Sequence, residues 1–193
     1  MVAAVLFGML SLSAQAQTKV GIVDLRKIFD GYYKTKLADA NLKESAADKD
    51  KQLKELTDSF KKGEEEWKKL VEKANDQAVA STEREKSKAA ADKKLLELRE
   101  LEQTVNQFTS TAKTQLTDQR GRMRDKILVE IQEKIAAKAK AGSFTLILDT
   151  ASETLNKTPV ILYNNGENDL TDAILTQLNA SQPVTTPAPV DKK

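Results

Sequence analysis

The residue types that most often carry out chemistry in proteins are sparse in this chain. Its 193 residues include no histidine and no cysteine. These absences exclude a Ser-His-Asp triad, a cysteine nucleophile, a histidine general base and a zinc site built on Cys and His. No two glycines lie close enough for a dinucleotide fingerprint or a phosphate loop. We therefore predict that the protein is not an enzyme, and we assign no catalytic, cofactor-binding or metal-ligating residue.

Two polar clusters have the residue types of cation ligands. Glu64, Glu65 and Glu66 are three adjacent carboxylates, but adjacent side chains fan apart around a helix, so a solvated face is favoured over a cation site. Residues 164–169 are rich in oxygen side chains but lack the spacing of a calcium loop. A plain turn leading into a helix is favoured there.

Two further clusters have the residue types of a binding surface. Phe60 and Trp67 are spaced for one helix face, and packing between helices is favoured over contact with a client polypeptide. The most basic cluster would make weak contact with anionic lipid or an acidic client, although a solvated helix face is favoured. Its members are Arg120, Arg122, Arg124 and Lys126.

Charge and composition narrow the classes of partner. The formal net charge is +2, from 31 Lys and Arg against 29 Asp and Glu, which argues against nucleic acid as a partner. Hydrophobic residues make up 39% and aromatic residues 5%, which predicts a small core. Without cysteine there is no disulfide framework.

Residues 1–16 have the pattern of a signal peptide. Val2–Leu12 is an uncharged apolar run too short to span a bilayer as a helix, and Ala14-Gln15-Ala16 has the small-x-small pattern of a cleavage site. No Lys or Arg precedes the run, so an uncleaved anchor or a buried first helix is the alternative. We expect export, with cleavage after Ala16.

The middle of the chain has the composition of long helices. It contains no proline, and only Gly63 and Gly121 fall between Gly31 and Gly142. From residue 25 to residue 74, steps of three and four mark the seam of a coiled coil. Gly63 costs about 1 kcal/mol of helix propensity and predicts a soft point. The seam positions are Leu25, Ile28, Tyr32, Thr35, Asp39, Leu42, Ala46, Lys49, Leu53, Leu56, Phe60, Gly63, Trp67, Leu70 and Ala74.

A second amphipathic helix follows a break at residues 75–81. Thr82 and Glu85 are spaced as a capping box, and Gly142 is placed to cap the other end. The apolar spacing is near 3.5 as far as Ala112 and nearer four beyond it, which predicts that the supercoil relaxes. The apolar positions are Leu95, Leu98, Leu101, Val105, Phe108, Ala112, Leu116, Met123, Ile127, Ile131 and Ile135.

Short strands flank these helices. Residues 19–24, 144–149 and 160–163 are apolar or β-branched runs. The first strand leads into the helices and the second leads out of them, so we expect the two to pair antiparallel. A helix over 169–179, capped by Asp169 or Thr171, and a disordered Pro-containing tail over 181–193 complete the chain.

The expected fold is therefore mostly α with a small β body. A long antiparallel helical-hairpin coiled-coil arm spans residues 34–141, with its tip near 75–82. A strand-containing oligomerisation body comprises residues 17–33 and 142–180. Three short strands and one small helix bury little surface and leave strand edges unpaired, so oligomerisation is expected.

The two ends of the chain carry a family resemblance. Lys19–Phe29 resembles the opening of the Skp/OmpH family of periplasmic chaperones, and Gly142–Asp149 is similar to that family's second strand. Leu162-Tyr163, and Asp169–Asp172 with the ending Leu178-Asn179, look like its last strand and helix. The resemblance covers residues 19–179 and departs from the family in the connection over 150–158 and in the tail.

The resemblance implies a homotrimer whose strands form a small barrel and whose three hairpins enclose a cavity, in a jellyfish-like arrangement. Members of this family hold unfolded outer-membrane proteins in that cavity without ATP. It therefore implies an ATP-independent holdase in the periplasm. No lipopolysaccharide site is carried over, because no basic motif here matches one residue by residue.

A structural role is the alternative function. A coiled-coil envelope protein acting as a spacer or tether would also have long helices. It would bind one dedicated partner rather than many unfolded clients, and it would often carry a membrane anchor or a wall-binding segment. Neither segment is evident in the expected mature chain, which favours the holdase.

Overall fold

The computed structural model describes residues 18–183 of the chain. The predicted signal peptide lies outside the described residues, as does the predicted tail beyond Pro183. A mostly helical fold with a small β portion is confirmed. The elements in chain order are β1 (Val20–Val23), α1 (Leu25–Gly31), α2 (Tyr33–Asn75), α3 (Ser81–Ala141), β2 (Leu146–Asp149) and α4 (Thr171–Asn179).

These elements form two compact units. One unit contains the residues up to 32 and those from 130 onward, and we call its described part the body. The other contains residues 33–129, and we call it the hairpin. The body therefore includes the last turns of α3 as well as both strands.

The two strands of the body pair in parallel, with Val20 opposite Leu146 and Val23 opposite Asp149. The antiparallel pairing expected from the sequence is wrong. Parallel neighbours need a long crossover connection, and here the whole chain between residues 24 and 145 supplies it.

The end of α3 explains this direction. After Ala141 the Phe144 N–H donates to the Ala139 carbonyl at 2.9 Å and the Ser143 N–H donates to the Lys140 carbonyl at 3.2 Å, which is a Schellman turn. Ser143, with φ 54°, takes the left-handed position, one residue beyond the predicted cap. The turn places Thr145 beside Lys19 at the start of β1, where the Thr145 N–H donates to the Lys19 carbonyl at 2.8 Å. The second strand therefore begins level with the first and runs the same way.

The predicted third strand is absent from the described body. Residues 160–163 form no ladder in the structure, although the Val160 N–H donates to the Ser152 carbonyl at 2.8 Å. Residues 168–170 instead take the place beside β1, because the Ile22 N–H donates to the Asn168 carbonyl and the Ile22 carbonyl accepts from the Leu170 N–H. The sheet therefore has two strands, in the order β1-β2.

Aliphatic side chains from several elements fill the body core. Ile28, Ile131 and Ile174 are fully buried, which brings α1, the end of α3 and α4 together. The start of α4 is joined to the residue that follows β1 by a hydrogen bond from the Asp24 N–H to Thr171 Oγ1 at 2.8 Å. Asp169 Oδ1 accepts from the Thr171 N–H at 2.8 Å. Of the two predicted caps, Asp169 therefore accepts a hydrogen bond from the first turn of α4, while the Thr171 hydroxyl accepts one from Asp24.

The first long helix is interrupted once, at Tyr32. This residue takes an extended conformation, with φ −71° and ψ 129°, and its ring is buried. The Tyr32 hydroxyl donates to Glu130 Oε2 at 2.9 Å. The interruption leaves the Gly31 carbonyl available to Asn179 Nδ2, which donates to it at 3.1 Å.

The hairpin follows the predicted seam closely. In α2 the seam positions from Leu42 to Ala74 are all buried or half-buried, whereas Asp39 is exposed. The predicted apolar positions of α3 from Leu95 to Ile135 are also buried or half-buried. The predicted capping box is wrong, because α3 begins at Ser81 and Thr82 already lies in its first turn.

Candidate functional site

The two hairpin helices run antiparallel, as their contacts demonstrate. Near the tip Lys73 Nζ lies 3.6 Å from Glu83 Oε2, and further along Glu66 Oε2 lies 2.8 Å from Lys94 Nζ. At the Lys49 level the partner on α3 is Gln115. As the residue number on α2 falls, the residue number of its contact on α3 rises, which is the pattern of antiparallel helices. The surface of this hairpin is the largest candidate binding surface, because few of the hairpin residues are buried in an internal core.

The helices approach each other closely at Gly63. This glycine is buried, and a Cβ atom added to it would lie 3.0 Å from Leu98 Cδ2. Leu98 is 7% exposed. Gly63 therefore provides the space into which Leu98 packs. The sequence pattern indicated only low helix propensity at this position.

An ion pair lies beside that close approach. Lys94 Nζ contacts Glu66 Oε2 at 2.8 Å and Glu97 Oε2 at 3.4 Å. The hydrogen bond from Lys94 lowers the pKa of the Glu66 carboxyl, and the same bond raises the pKa of the Lys94 ammonium. The three glutamates considered as a cation site therefore differ, since Glu66 bonds across the hairpin and Glu64 pairs with Lys68 on its own helix at 2.9 Å.

The two aromatic candidates lie on the seam, where both are half-buried. Phe60 also lines a small cleft of about 130 Å³ together with Thr57, Glu102 and Val105. The Phe60 side chain therefore packs between the helices and is also accessible from the cleft. Trp67 lies half-buried on the same seam.

A larger polar cleft lies at the Lys49 level of the hairpin, and it has a volume of about 450 Å³. Lys49 Nζ donates to Gln115 Oε1 at 2.7 Å from one helix to the other. Gln52 and Gln119 also line this cleft. This cleft was not predicted from the sequence, although a lysine at a seam position is a signal that the apolar seam opens there.

The basic cluster lies on an exposed surface. Arg120, Arg122, Arg124 and Lys126 are all exposed, and Arg124 lies 3.7 Å from Asp125. Arg122 lines the polar cleft. The residues are therefore available to solvent or to an anionic partner.

Large apolar side chains are exposed on the body. Leu155 is 105% exposed, Leu162 83% and Tyr163 84%, and Leu146 on β2 is also exposed. Residues 164–169 form a turn, in which the Gly166 N–H donates to Asn164 Oδ1 at 3.1 Å. Residues 160–163 were predicted to form a strand, and the exposure of Leu155 was not predicted from the sequence.

An α/β body together with a long, sparsely buried helical hairpin defines a coiled-coil hairpin protein with a small globular portion. Residues 19–178 match the family described as outer membrane protein (OmpH-like), and the chain belongs to that family. The resemblance found at the two ends of the sequence is thereby confirmed. At the family level these proteins are periplasmic chaperones of outer-membrane proteins rather than enzymes. Comparison with curated proteins finds no match.

Within residues 18–183, none of the helices combines the length and the apolar character needed to cross a bilayer.

Proposed function

We propose that the protein is an ATP-independent holdase that binds unfolded outer-membrane proteins in the periplasm through its hairpins. The observation that carries this proposal is how few residues of the hairpin are buried. Within residues 33–129, all of which the structure describes, the buried residues are Thr35, Gly63, Ser87, Ala91, Leu98 and Ile127. So long a unit with so small a core has most of its surface available to partners.

The chemistry of that surface suits unfolded clients. Such a client presents scattered apolar and charged segments, so many weak contacts serve better than a single pocket. Exposed apolar side chains on the hairpin, among them Leu37, Leu96 and Val129, add small increments of burial. Interspersed lysines and glutamates add electrostatic contact.

We further propose that the functional unit is a homotrimer assembled through the body. Among the described residues β2 pairs with β1 alone, so its outer edge has backbone groups free for another strand. Exposed strand edges and exposed apolar patches are typical of surfaces that another chain covers. Residues 160–163, which were predicted as a strand and in which Val160, Leu162 and Tyr163 are exposed, are the segment we assign to the neighbouring copy's sheet. The number three comes from the family resemblance.

Light scattering tests the holdase function. A urea-denatured porin is diluted with and without the protein, and we expect the protein to suppress aggregation without nucleotide. A variant in which a short Gly/Ser linker replaces Lys54–Arg99 should remain a trimer and lose suppression. Full suppression by this shortened variant would contradict binding through the hairpins and would favour the body.

Higher salt distinguishes the electrostatic contacts with a client from the apolar ones. We expect 1 M NaCl to weaken capture partially, because only the exposed electrostatic part is screened. The spacer alternative predicts instead one dedicated partner and no suppression of porin aggregation at any salt concentration.

Export is part of the same proposal. The short apolar run and the Ala-x-Ala site predict removal of residues 1–16. Cell fractionation followed by N-terminal sequencing should find a periplasmic chain that begins at Gln17. A cytoplasmic chain that retains Met1 would contradict this prediction.

A further inference from the structure

We propose that the polar cleft of the hairpin binds the main chain of an unfolded polypeptide through side-chain carboxamides. This inference rests on the proposed holdase function and names where part of the capture takes place. The cleft volume of about 450 Å³ falls within the range of small-ligand sites, and an extended peptide segment is the occupant that its chemistry fits.

Three glutamines bring carboxamides to this cleft. Gln115 Oε1 accepts from Lys49 Nζ, whereas the side-chain carboxamides of Gln52 and Gln119, which also line the cleft, make no hydrogen bond within residues 18–183. A carboxamide offers N–H donors and a carbonyl acceptor, as a peptide group does. The two unpartnered carboxamides therefore match the N–H and C=O groups of a passing main chain, whatever side chains that chain carries.

The charges around the cleft argue against a simple anion as the ligand. Lys49 and Arg122 bring positive charge, but Asp48 lines the same cleft with a carboxylate. An anion would meet that carboxylate, whereas a peptide segment provides N–H groups for it. Because the cleft carries both signs of charge, it does not select strongly for acidic or for basic segments. A holdase that binds varied clients requires such low selectivity.

The cleft stays open because of what occupies the seam there. An apolar side chain at position 49 would pack against α3 and close the gap. Lys49 instead extends its ammonium group to Gln115, so the interhelical contact is a polar bond at 2.7 Å. The same seam is closed at Gly63 and Leu98. The polar cleft at the Lys49 level is therefore separate from the smaller cleft at Phe60.

Paired substitutions test the proposal. In the double variant Gln52→Leu, Gln119→Leu both unpartnered carboxamides are replaced by side chains of similar size and good helix propensity. The matched control is Gln103→Leu, Gln107→Leu on α3, where both glutamines are exposed and outside the cleft. The probe is reduced, carboxymethylated α-lactalbumin, a permanently unfolded chain. Its dissociation constant for each protein is measured by fluorescence anisotropy, alongside circular dichroism and oligomeric state.

We expect the cleft variant to bind the probe about tenfold more weakly than the wild type, the loss expected for two hydrogen bonds of ordinary net strength. The control variant should bind like the wild type. Equal binding by the cleft variant and the wild type would overturn the inference and leave the holdase function standing. An equal loss in both variants would also overturn it. If the wild type failed to bind both this probe and the porin, the proposed function itself would fail.

A second measurement locates the contact. Since the chain has no cysteine, a single bimane label can be attached to Ser45→Cys at the cleft or to the exposed Ser110→Cys on α3. Binding of the probe should shift the emission of the first label and leave the second unchanged. Equal shifts at both sites would contradict a localised cleft.

Discussion

Individual residues of the hairpin set how closely its helices approach each other. At Gly63 the absence of a side chain lets Leu98 pack against the backbone of α2. At Lys49 a long polar side chain donates a hydrogen bond across the hairpin to Gln115, and a polar cleft lies beside it. Two residues that both weaken the apolar seam in sequence therefore have opposite structural effects.

Replacing Gly63 by Leu should destabilise the hairpin. The new side chain would meet Leu98, and overpacking costs about 1–3 kcal/mol against about 1 kcal/mol gained in helix propensity. Urea unfolding followed by circular dichroism, at fixed protein concentration, measures the change. The control is Gly121→Leu, where an added Cβ meets nothing within 4 Å; this variant should be at least as stable as the wild type. Adding Leu98→Ala to Gly63→Leu should recover part of the loss. Failure of that rescue would argue against the contact.

The Glu66–Lys94 pair makes stability depend on pH. The pKa of Glu66 is lowered in the folded chain, so its carboxylate stabilises the fold above the ordinary value of 4.5 and that contribution is lost as pH falls through the folded pKa. We expect Glu66→Gln to be less stable than the wild type at pH 7, with the difference vanishing in acid. Thermal unfolding across this pH range is the measurement. The control is Glu65→Gln, which removes an exposed carboxylate of the same helix and should be as stable as the wild type at pH 7.

At the scale of elements, the end of α3 determines the topology of the body. The turn after Ala141 brings the ring of Phe144 against Gly142, where a Cβ atom would lie 2.6 Å from Cε2 of that ring. Lys19 Nζ lies 4.2 Å from the ring centroid and donates to the Gly142 carbonyl at 2.9 Å. The start of β1 and the end of α3 are thus held together by one lysine.

Substitution of Gly142 by Ala should therefore destabilise the body. The added methyl group would displace the Phe144 ring and weaken its contact with Lys19, at a cost of about 1–3 kcal/mol. Gly121→Ala is the control, because it lies inside α3 with open space around it and should stabilise by about 0.5–1 kcal/mol. Chemical denaturation of the two variants compares them directly. Equal stability of the two would contradict the packing described for Phe144.

At the scale of the whole molecule, assembly through the body is the property that needs testing first. A charge buried in an interface without a partner is strongly destabilising, and neighbouring strand residues point to opposite faces. Ile147 and Leu148 on β2 are half-buried in the described chain. We expect at least one of Ile147→Asp and Leu148→Asp to dissociate the proposed trimer, as measured by light scattering with size-exclusion chromatography.

The exposed Leu96 of the hairpin provides the control, and Leu96→Asp should remain trimeric. Circular dichroism separates dissociation from unfolding of the body. If both β2 variants stayed trimeric, assembly through the strands would be contradicted.

The sequence by itself determined the helices and the family. The apolar seam repeats every three or four residues over long, proline-free segments, so it specifies two amphipathic helices wherever the chain folds. Half-burial along both predicted faces follows from that local periodicity. The short end motifs were sufficient to indicate the family that the match over residues 19–178 confirms.

Only the tertiary structure decided how the strands pair and where the hairpin closes. Parallel pairing depends on where the chain reverses after α3, and that turn uses Ser143 and Phe144 rather than a simple glycine cap. The place beside β1 was taken by residues 168–170 instead of the apolar run at 160–163, because strand propensity does not say which segment reaches an edge. Gly63 and Lys49 likewise acquire their roles from Leu98 and Gln115 on the other helix. Contacts between residues far apart in sequence set these features, and local pattern carries no information about such partners.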